Sequence, residues 1–464
     1  MSDAAGAGRI AIVGAGWAGL AAAVTLTQAG FAVTLLEQAK TLGGRARRVD
    51  VDGSALDNGQ HLLIGAYRQT LELIATVHGA DRAAPLLHRL PLTLAPFGAS
   101  RRDAVALRAW PLPAPLHLAA GIVAARGLSW RERAALVQGF RAVARDGFRR
   151  PAAQTVAQCF AATPRRALDE LWAPLCLAAL NTPPARASAQ AFATVLREAF
   201  GARAGASDFL VPASDLSALF PDAAGAWVTA RGGEVRTGVT VRGVRDDAGQ
   251  VALRIAAGEE RFAAAIIAAG PHQLAATVAG GRTAGGRLAA GDPWRAALTQ
   301  VAAFGYESIT TAYLAYPSPV ALPAPIARLD DAPGQWVFDR GAALAAAPAG
   351  AARALLAVVI SASGPHDGQD HAALAATIDA QLRRLRPGLP PPLWTRVIAE
   401  RRATYACTPA LARPAAGRVG PGLYLAGDYT DAELPPTLEA ATRSGVTAAR
   451  ALSADLGTPL RSPG

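Results

Sequence analysis

Three glycines and an acid near the start of the chain are the residues whose types and spacing could do chemistry. Gly14, Gly16 and Gly19 spell GxGxxG, and Glu37 stands eighteen residues beyond the last of them. The first glycine permits a tight turn, the second lets backbone approach a pyrophosphate, and the third lets a helix pack closely on a strand. A carboxylate at that distance can take the ribose hydroxyls of an adenosine. Ala15, Trp17 and Ala18 fill the positions between the glycines, and Gln38 follows the acid. In a chain with 46 glycines the motif alone is weak, so the elements that position it must carry it. Ile10 to Val13 reads as a short buried strand, Trp17 to Ala29 as a helix stopped by Gly30, and Phe31 to Leu36 as a second strand ending at the acid. Free amides and the positive dipole end at the helix start would receive phosphates. The unit predicts a dinucleotide site, with NAD and FAD both open.

Two further groups invite chemistry. Val49 to Leu56 alternates as a strand does, and Asp57 to Gln60 then makes a polar turn, followed by His61 and by a helix over Tyr67 to Val77. Much later, an apolar strand at Leu423 to Ala426 runs into Gly427 and Asp428. After a loop, a helix begins near Pro436 to Glu439, with Thr437 and Leu438 in its first positions. Its amides and dipole would face whatever sits there.

Composition narrows the function classes. The chain has 464 residues, of which 51% are hydrophobic and 17% charged. That is long enough for two intertwined domains and too apolar for disorder. The net charge is +11, and Lys40 is the only lysine. No basic run carries interleaved aromatics, which argues against nucleic acid, whereas a basic, apolar protein suits peripheral contact with an anionic membrane. Cys159, Cys176 and Cys407 are too few and too scattered for a disulfide framework or a metal site. The segment before Ile10 is small and polar, and no window has the 18 apolar residues of a spanning helix, so the expected location is cytoplasmic, peripheral at most on the inner face of the membrane.

From Ala84 to Gly225 helical periods and proline breaks dominate. Leu112 to Ala125 is apolar but too short to span a bilayer, and reads equally as an interfacial segment or a core helix. Leu171 to Phe200 reads as two helices split at Asn181-Thr182-Pro183-Pro184, apolar on nearly all faces, as the wall of a greasy cavity would be. Ala226 to Gly270 reads as short strands of a small antiparallel sheet, with Ala264 to Gly270 apolar enough to rejoin a parallel sheet. Beyond Pro271, strand-like runs at Ser308 to Tyr316, Trp336 to Phe338 and Leu355 to Ser361, with a helix over His371 to Arg386, suggest a sheet that roofs a cavity. The expected fold is therefore α/β: a discontinuous Rossmann-like cofactor domain (residues 1–83, 226–275 and 403–464) with a parallel sheet, and an α+β substrate domain (84–225 and 276–402).

Gly43-Gly44-Arg45, directly after the acid, resembles the extended cofactor motif of flavoproteins related to amine oxidases and carotenoid desaturases, which favours FAD. Over nearly its whole length the chain resembles the squalene-associated FAD-dependent desaturases, the hydroxysqualene dehydroxylases of bacterial hopanoid synthesis. The segments that carry the resemblance are DNGQHLLIGAYRQTL from Asp57, LWAPLCLAALNTPP from Leu171, VPASDLSALFP from Val211, GQWVFDR from Gly334, TYACTPALARPA from Thr404 and GDYTDAELPPTLEAATRSG from Gly427. The resemblance implies that Gly44 and Arg45 join the cofactor site. It implies too that Gly59, Gln60 and His61 pass along the flavin ring, that the backbone of Val241 meets the adenine, and that Asp428 meets the ribityl or pyrophosphate. Thr437 and Leu438 would then begin the helix facing the pyrimidine end. The implied reaction is reductive removal of the hydroxyl of a C30 lipid, hydroxysqualene, to give squalene. It needs one acid, and His61, Asp57 and Glu439 are the candidates, His61 first. A carotenoid-type desaturase shares the fold and differs in the direction of electron flow. An amine oxidase would hold an active-site lysine and an aromatic residue near Thr437, neither of which the sequence offers.

Overall fold

The computed structural model describes residues 8–98, 104–201, 203–247, 249–278, 292–343 and 351–457; the polar leader, residues 1–7, lies outside them. The organising element is a six-stranded sheet in the order Glu234–Thr237, Val33–Glu37, Ile10–Val13, Ala264–Ile267, Leu423–Leu425, Gly417–Gly420. The first five strands are parallel and the last pairs antiparallel. Ile10–Val13 is buried throughout, as is expected of a strand covered on both faces, which is why it reads as an unbroken apolar run. The helix Trp17–Gln28 and the C-terminal helix Leu438–Asp455 pack together beside this sheet.

A second sheet of five antiparallel strands runs Ile326–Arg328, Trp336–Asp339, Ala354–Ser361, Tyr306–Tyr316, Trp394–Tyr405. The helix His371–Leu385 buries Leu374, Ile378 and Leu382 in the same apolar cluster as Leu314 and Val358 of this sheet. Alternation sends Ile309, Trp336, Phe338 and Ile398 the other way, into a cavity. Helices Ala173–Leu180 and Ala189–Leu196 close that cavity from the side.

Four local expectations are corrected. Val49 to Leu56 is not one strand but a hairpin, Arg48–Val51 with Ser54–Asp57, turned at Asp52 and Gly53, whose φ values of 50° and 74° are left-handed. Residues 226–229 continue the helix Pro221–Thr229, started by its N-terminal proline. Glu234–Thr237 joins the edge of the parallel sheet, and the antiparallel sheet is confined to Val244–Asp247, Gln250–Ile255 and Gly258–Phe262. The twelve-residue strand Trp394–Tyr405 has no counterpart in the reading of the sequence.

Candidate active site

The glycine turn leaves the first strand at Gly14, whose φ is 101°. A β-carbon there would lie 2.7 Å from the Ala268 carbonyl oxygen, and one on Gly19 would lie 1.9 Å from that of Gly14. Both positions therefore require glycine to keep helix, turn and neighbouring strand together. Glu37 ties the unit across: its carboxylate accepts the amide hydrogens of Ala15 at 2.6 Å and Ala39 at 2.8 Å. Ala15 and Gly19 thus shape the turn without lining the cavity, whereas Gly14, Gly16, Trp17, Ala18, Glu37 and Gln38 line it.

Gly44 lies against this turn, so close that its β-carbon would be 3.1 Å from the Gly16 Cα. Arg45 then reaches across to the distant glycine-acid pair. Its guanidinium donates to Asp428 Oδ2 at 2.6 Å and to the Ala403 carbonyl at 2.5 Å. Val241, Gly427, Asp428, Thr437 and Leu438 complete the same wall. The structure thus gathers segments some 400 residues apart around one cavity of about 1010 Å³. The residues fit a phosphate-bearing cofactor. The helix at Trp17 begins with neither a side-chain cap nor an acid in its first turn, so no side chain is shown taking its leading amides. Gly14, Gly16 and Gly44 keep the backbone bare there, and a carboxylate and a guanidinium stand at either end.

The rest of the cavity is lined mostly by apolar side chains. Leu175, Ala179, Phe192 and Phe200 come from the helical side, and Ile309, Trp336, Phe338 and Ile398 from the second sheet. Where the two halves meet stand Gly59, Gln60 and His61. The Gln60 amide nitrogen donates to the His61 carbonyl at 3.1 Å, while its buried Oε1 has no partner in the protein. His61 Nδ1 lies 3.0 Å from the Gly59 carbonyl oxygen. A carbonyl only accepts, so Nδ1 carries the hydrogen. Burial lowers the His61 pKa below its ordinary value, and Arg45 lowers it further against the Gly59 bond. The imidazole is thus neutral at neutral pH, with Nε2 as a lone-pair acceptor.

The other two acid candidates are occupied. Asp57 does not line the cavity. Its Oδ1 accepts the Leu216 amide at 2.8 Å, its Oδ2 lies 3.4 Å from Arg340, and burial raises its pKa to about 6. Glu439 lines the cavity but accepts the amides of Gln69 and Thr70 at 3.0 and 2.9 Å and the Thr70 hydroxyl at 2.8 Å. It caps the helix Arg68–His78, which has no side-chain cap of its own. Burial raises its pKa in spite of those bonds. Both carboxylates are thus engaged by amide donors from distant elements.

Among the polar lining residues that the sequence does not single out is Asn181. Asn181, left-handed at φ 47°, donates to the Ser308 carbonyl at 3.2 Å and to Thr404 Oγ1 at 2.9 Å, and accepts the Ala362 amide at 2.7 Å. It locks the helical wall to the sheet wall, and the only signal in the sequence was the break in helix period at Asn181-Thr182-Pro183-Pro184. Among the described residues no cluster of His, Cys, Asp or Glu could hold a metal ion.

A parallel sheet with a glycine turn, opening into a mostly apolar chamber, is the arrangement of a nucleotide-cofactor-binding fold. The chain matches the family described as flavin containing amine oxidoreductase over residues 17–453, and it belongs to that family. It is a flavin-dependent enzyme. A hydroxysqualene dehydroxylase of Rhodopseudomonas palustris is 29% identical over 450 residues, spanning 94% of this chain and 96% of that protein. One of Sinorhizobium fredii is 28% identical over 453 residues, with the same coverage of 94% and 96%. The crystal structure of an oxidoreductase from Methanosarcina mazei shares the fold, with a TM-score of 0.68 at 16% identity over 94% of this chain and 98% of that one.

Proposed function

We propose that the protein binds FAD and reductively removes the hydroxyl of hydroxysqualene, releasing squalene and water. The observation that carries this reading is the junction of a glycine-rich groove with a mostly apolar chamber, with His61 among the residues that line it. Two full-length relatives bear the name of that activity. The flavin, when bound and reduced, supplies hydride; the chain must bind the substrate, keep water away and manage a proton.

The mostly apolar chamber walls bind a hydrocarbon by burying it, and His61 is the lining residue that would take the hydroxyl. Neutral His61 accepts the substrate hydroxyl at Nε2 and so orients it. Protonated, the same nitrogen hands its proton to the leaving oxygen, which departs as water. A lowered pKa makes the imidazolium the stronger acid, at the cost of a smaller protonated fraction at neutral pH. Exclusion of water protects the developing allylic cation until hydride arrives. Amine oxidation fits less well: Lys40 is not among the lining residues, and Thr437, not an aromatic residue, starts the C-terminal helix.

The test is anaerobic incubation of the FAD-loaded, chemically reduced protein with hydroxysqualene, followed by lipid analysis. Squalene formed in step with flavin reoxidation is the expected result. Unchanged alcohol overturns the reading, and dehydrogenation of a polyene by the oxidised protein would replace it with a carotenoid-type desaturation.

A further inference from the structure

The segment between the first large loop and the helix Trp130–Arg145 turns large apolar side chains outward. Trp130 is 71% exposed and Leu116 58%, and Trp110, Leu112 and Val123 are exposed with them. The fold brings these residues to one face. Leu116 and Val123 lie seven residues apart on the helix Leu116–Ala124, hence two turns apart on one side. The opposite side of that helix buries Leu118, Gly121 and Ile122, and a β-carbon on Gly121 would lie 2.7 Å from the Arg108 carbonyl, so the helix is pressed inward and cannot roll its apolar outer face under. Trp110 is held to this helix by its amide, which donates to the His117 carbonyl at 3.1 Å. Trp130 is held at the other end through Arg133, whose guanidinium bonds the Val123 and Ala125 carbonyls and lies 4.6 Å from the Trp130 ring.

Charge says what covers this face. From Ala104 to Arg131 the sequence has Arg108, Arg126 and Arg131 and no acid. All three arginines are exposed. The next acid, Glu132, is turned inward by a capping box with Ser129 and is buried. Tryptophans and aliphatic side chains on a stretch whose only charged side chains are arginines match the headgroup layer of an anionic bilayer, where the rings sit at the interface and the cations meet phosphate. A protein partner would be expected to meet acids as well as arginines at the rim of such a patch.

We propose that this face docks on anionic phospholipid bilayers. Its inner side touches the chamber: His117 Nε2 lies 3.1 Å from the Ser207 hydroxyl, and its ring centroid 6.2 Å from that of Phe200, both lining residues. A bilayer-borne lipid would thus reach the chamber wall across the thickness of one helix. The docking itself stands on exposure and charge, whatever reaction the chamber runs.

The test is co-sedimentation of the flavin-loaded full chain with vesicles of phosphatidylcholine, alone or mixed with phosphatidylglycerol. Binding is expected to the mixed vesicles and to weaken with salt. It should fall about fivefold for Arg126→Gln and at least tenfold for the pair Leu116→Ser and Trp130→Ser. Because the three side chains are exposed, circular dichroism and turnover of detergent-dispersed substrate should stay unchanged, which separates lost docking from lost folding. Failure of the wild type to bind, equal binding to neutral vesicles, or full binding by the double variant overturns the proposal. So does self-association in vesicle-free sedimentation that the double variant abolishes, since a second copy would then cover the face.

Discussion

Replacing Glu439 by Gln separates a cap from a catalytic acid. In the wild type one carboxylate oxygen accepts the Gln69 amide, and the other accepts both the amide and the hydroxyl of Thr70. A glutamine has a single acceptor oxygen. Placed toward Thr70 it keeps two of those bonds, and its NH2 then faces the Gln69 N–H, which loses its partner in a partly buried site. An unsatisfied donor of that kind costs about 1–3 kcal/mol, and the first turn of the helix Arg68–His78 also loses the anion that offsets its dipole, about 0.3–1 kcal/mol. Unfolding by urea should therefore show a loss of about 2 kcal/mol on these two figures, while squalene formation under anaerobic single-turnover conditions stays within a few-fold of wild type. Thr70→Val should act in the same direction, because it removes one donor from the same carboxylate. A general acid would behave in the opposite way. Loss of about 10²–10⁴-fold in rate at unchanged unfolding free energy would refute the assignment of Glu439 as a cap.

His61→Phe should lower the rate by about 10²–10⁴-fold and abolish a pH dependence that the wild type shows. Because the His61 pKa is lowered, wild-type turnover should fall as pH rises through a value below the ordinary imidazole range, and a flat wild-type profile would count against the role. Asp57→Asn tests linkage. The folded pKa of about 6 lies above the ordinary value of 3.8, so the folded state holds a proton longer, and this group's contribution to stability is lost as pH rises from about 4 to about 6. The wild type should lose about 2 kcal/mol relative to the variant across that window, measured by urea unfolding at its two ends, and an unchanged difference would refute it. Gly19→Ala places a β-carbon against the Gly14 carbonyl. It should cost about 1–3 kcal/mol and abolish retention of flavin through gel filtration; a yellow, fully loaded variant would show that the turn tolerates widening.

The parts of the site that could be read from the sequence are those whose local chemistry has no second solution. Ile10 to Val13 is apolar at every position because it is covered on both faces, and Gly14 and Gly19 leave no space for a side chain. The roof sheet was only partly legible. Its strand Trp394–Tyr405 carries Arg396, Glu400, Arg401 and Arg402, and its strand character comes from pairing along the whole of Tyr306–Tyr316, a tertiary contact that no local pattern announces. The bonds of Asp57 and Glu439 are hidden from the sequence for a related reason. Each sits beside motif residues in sequence, yet each is engaged by amides from elements far away, Leu216 in one case and Gln69 with Thr70 in the other. Asn181 looked like a helix breaker, and its three bonds to the sheet depend on a left-handed backbone that only the assembled fold displays.

The strand order of the parallel sheet also sets a timetable for biosynthesis. Ile10–Val13 leaves the ribosome first, but one of its neighbours, Ala264–Ile267, is made some 250 residues later, and the next strand, Leu423–Leu425, almost at the end. Until Ala264–Ile267 is made the first strand has a bare hydrogen-bonding edge, and Arg45 meets Asp428 only later still. Long-range pairing of this kind is slow and leaves unpaired edges exposed. The first strand therefore waits through more than half of the chain's synthesis for its second partner, and the wall that begins at Gly427 is the last part of the cavity to be made. Loss of the helix Leu438–Asp455 would strip the helix Trp17–Gln28 of one packing partner while leaving the first strand paired on both sides.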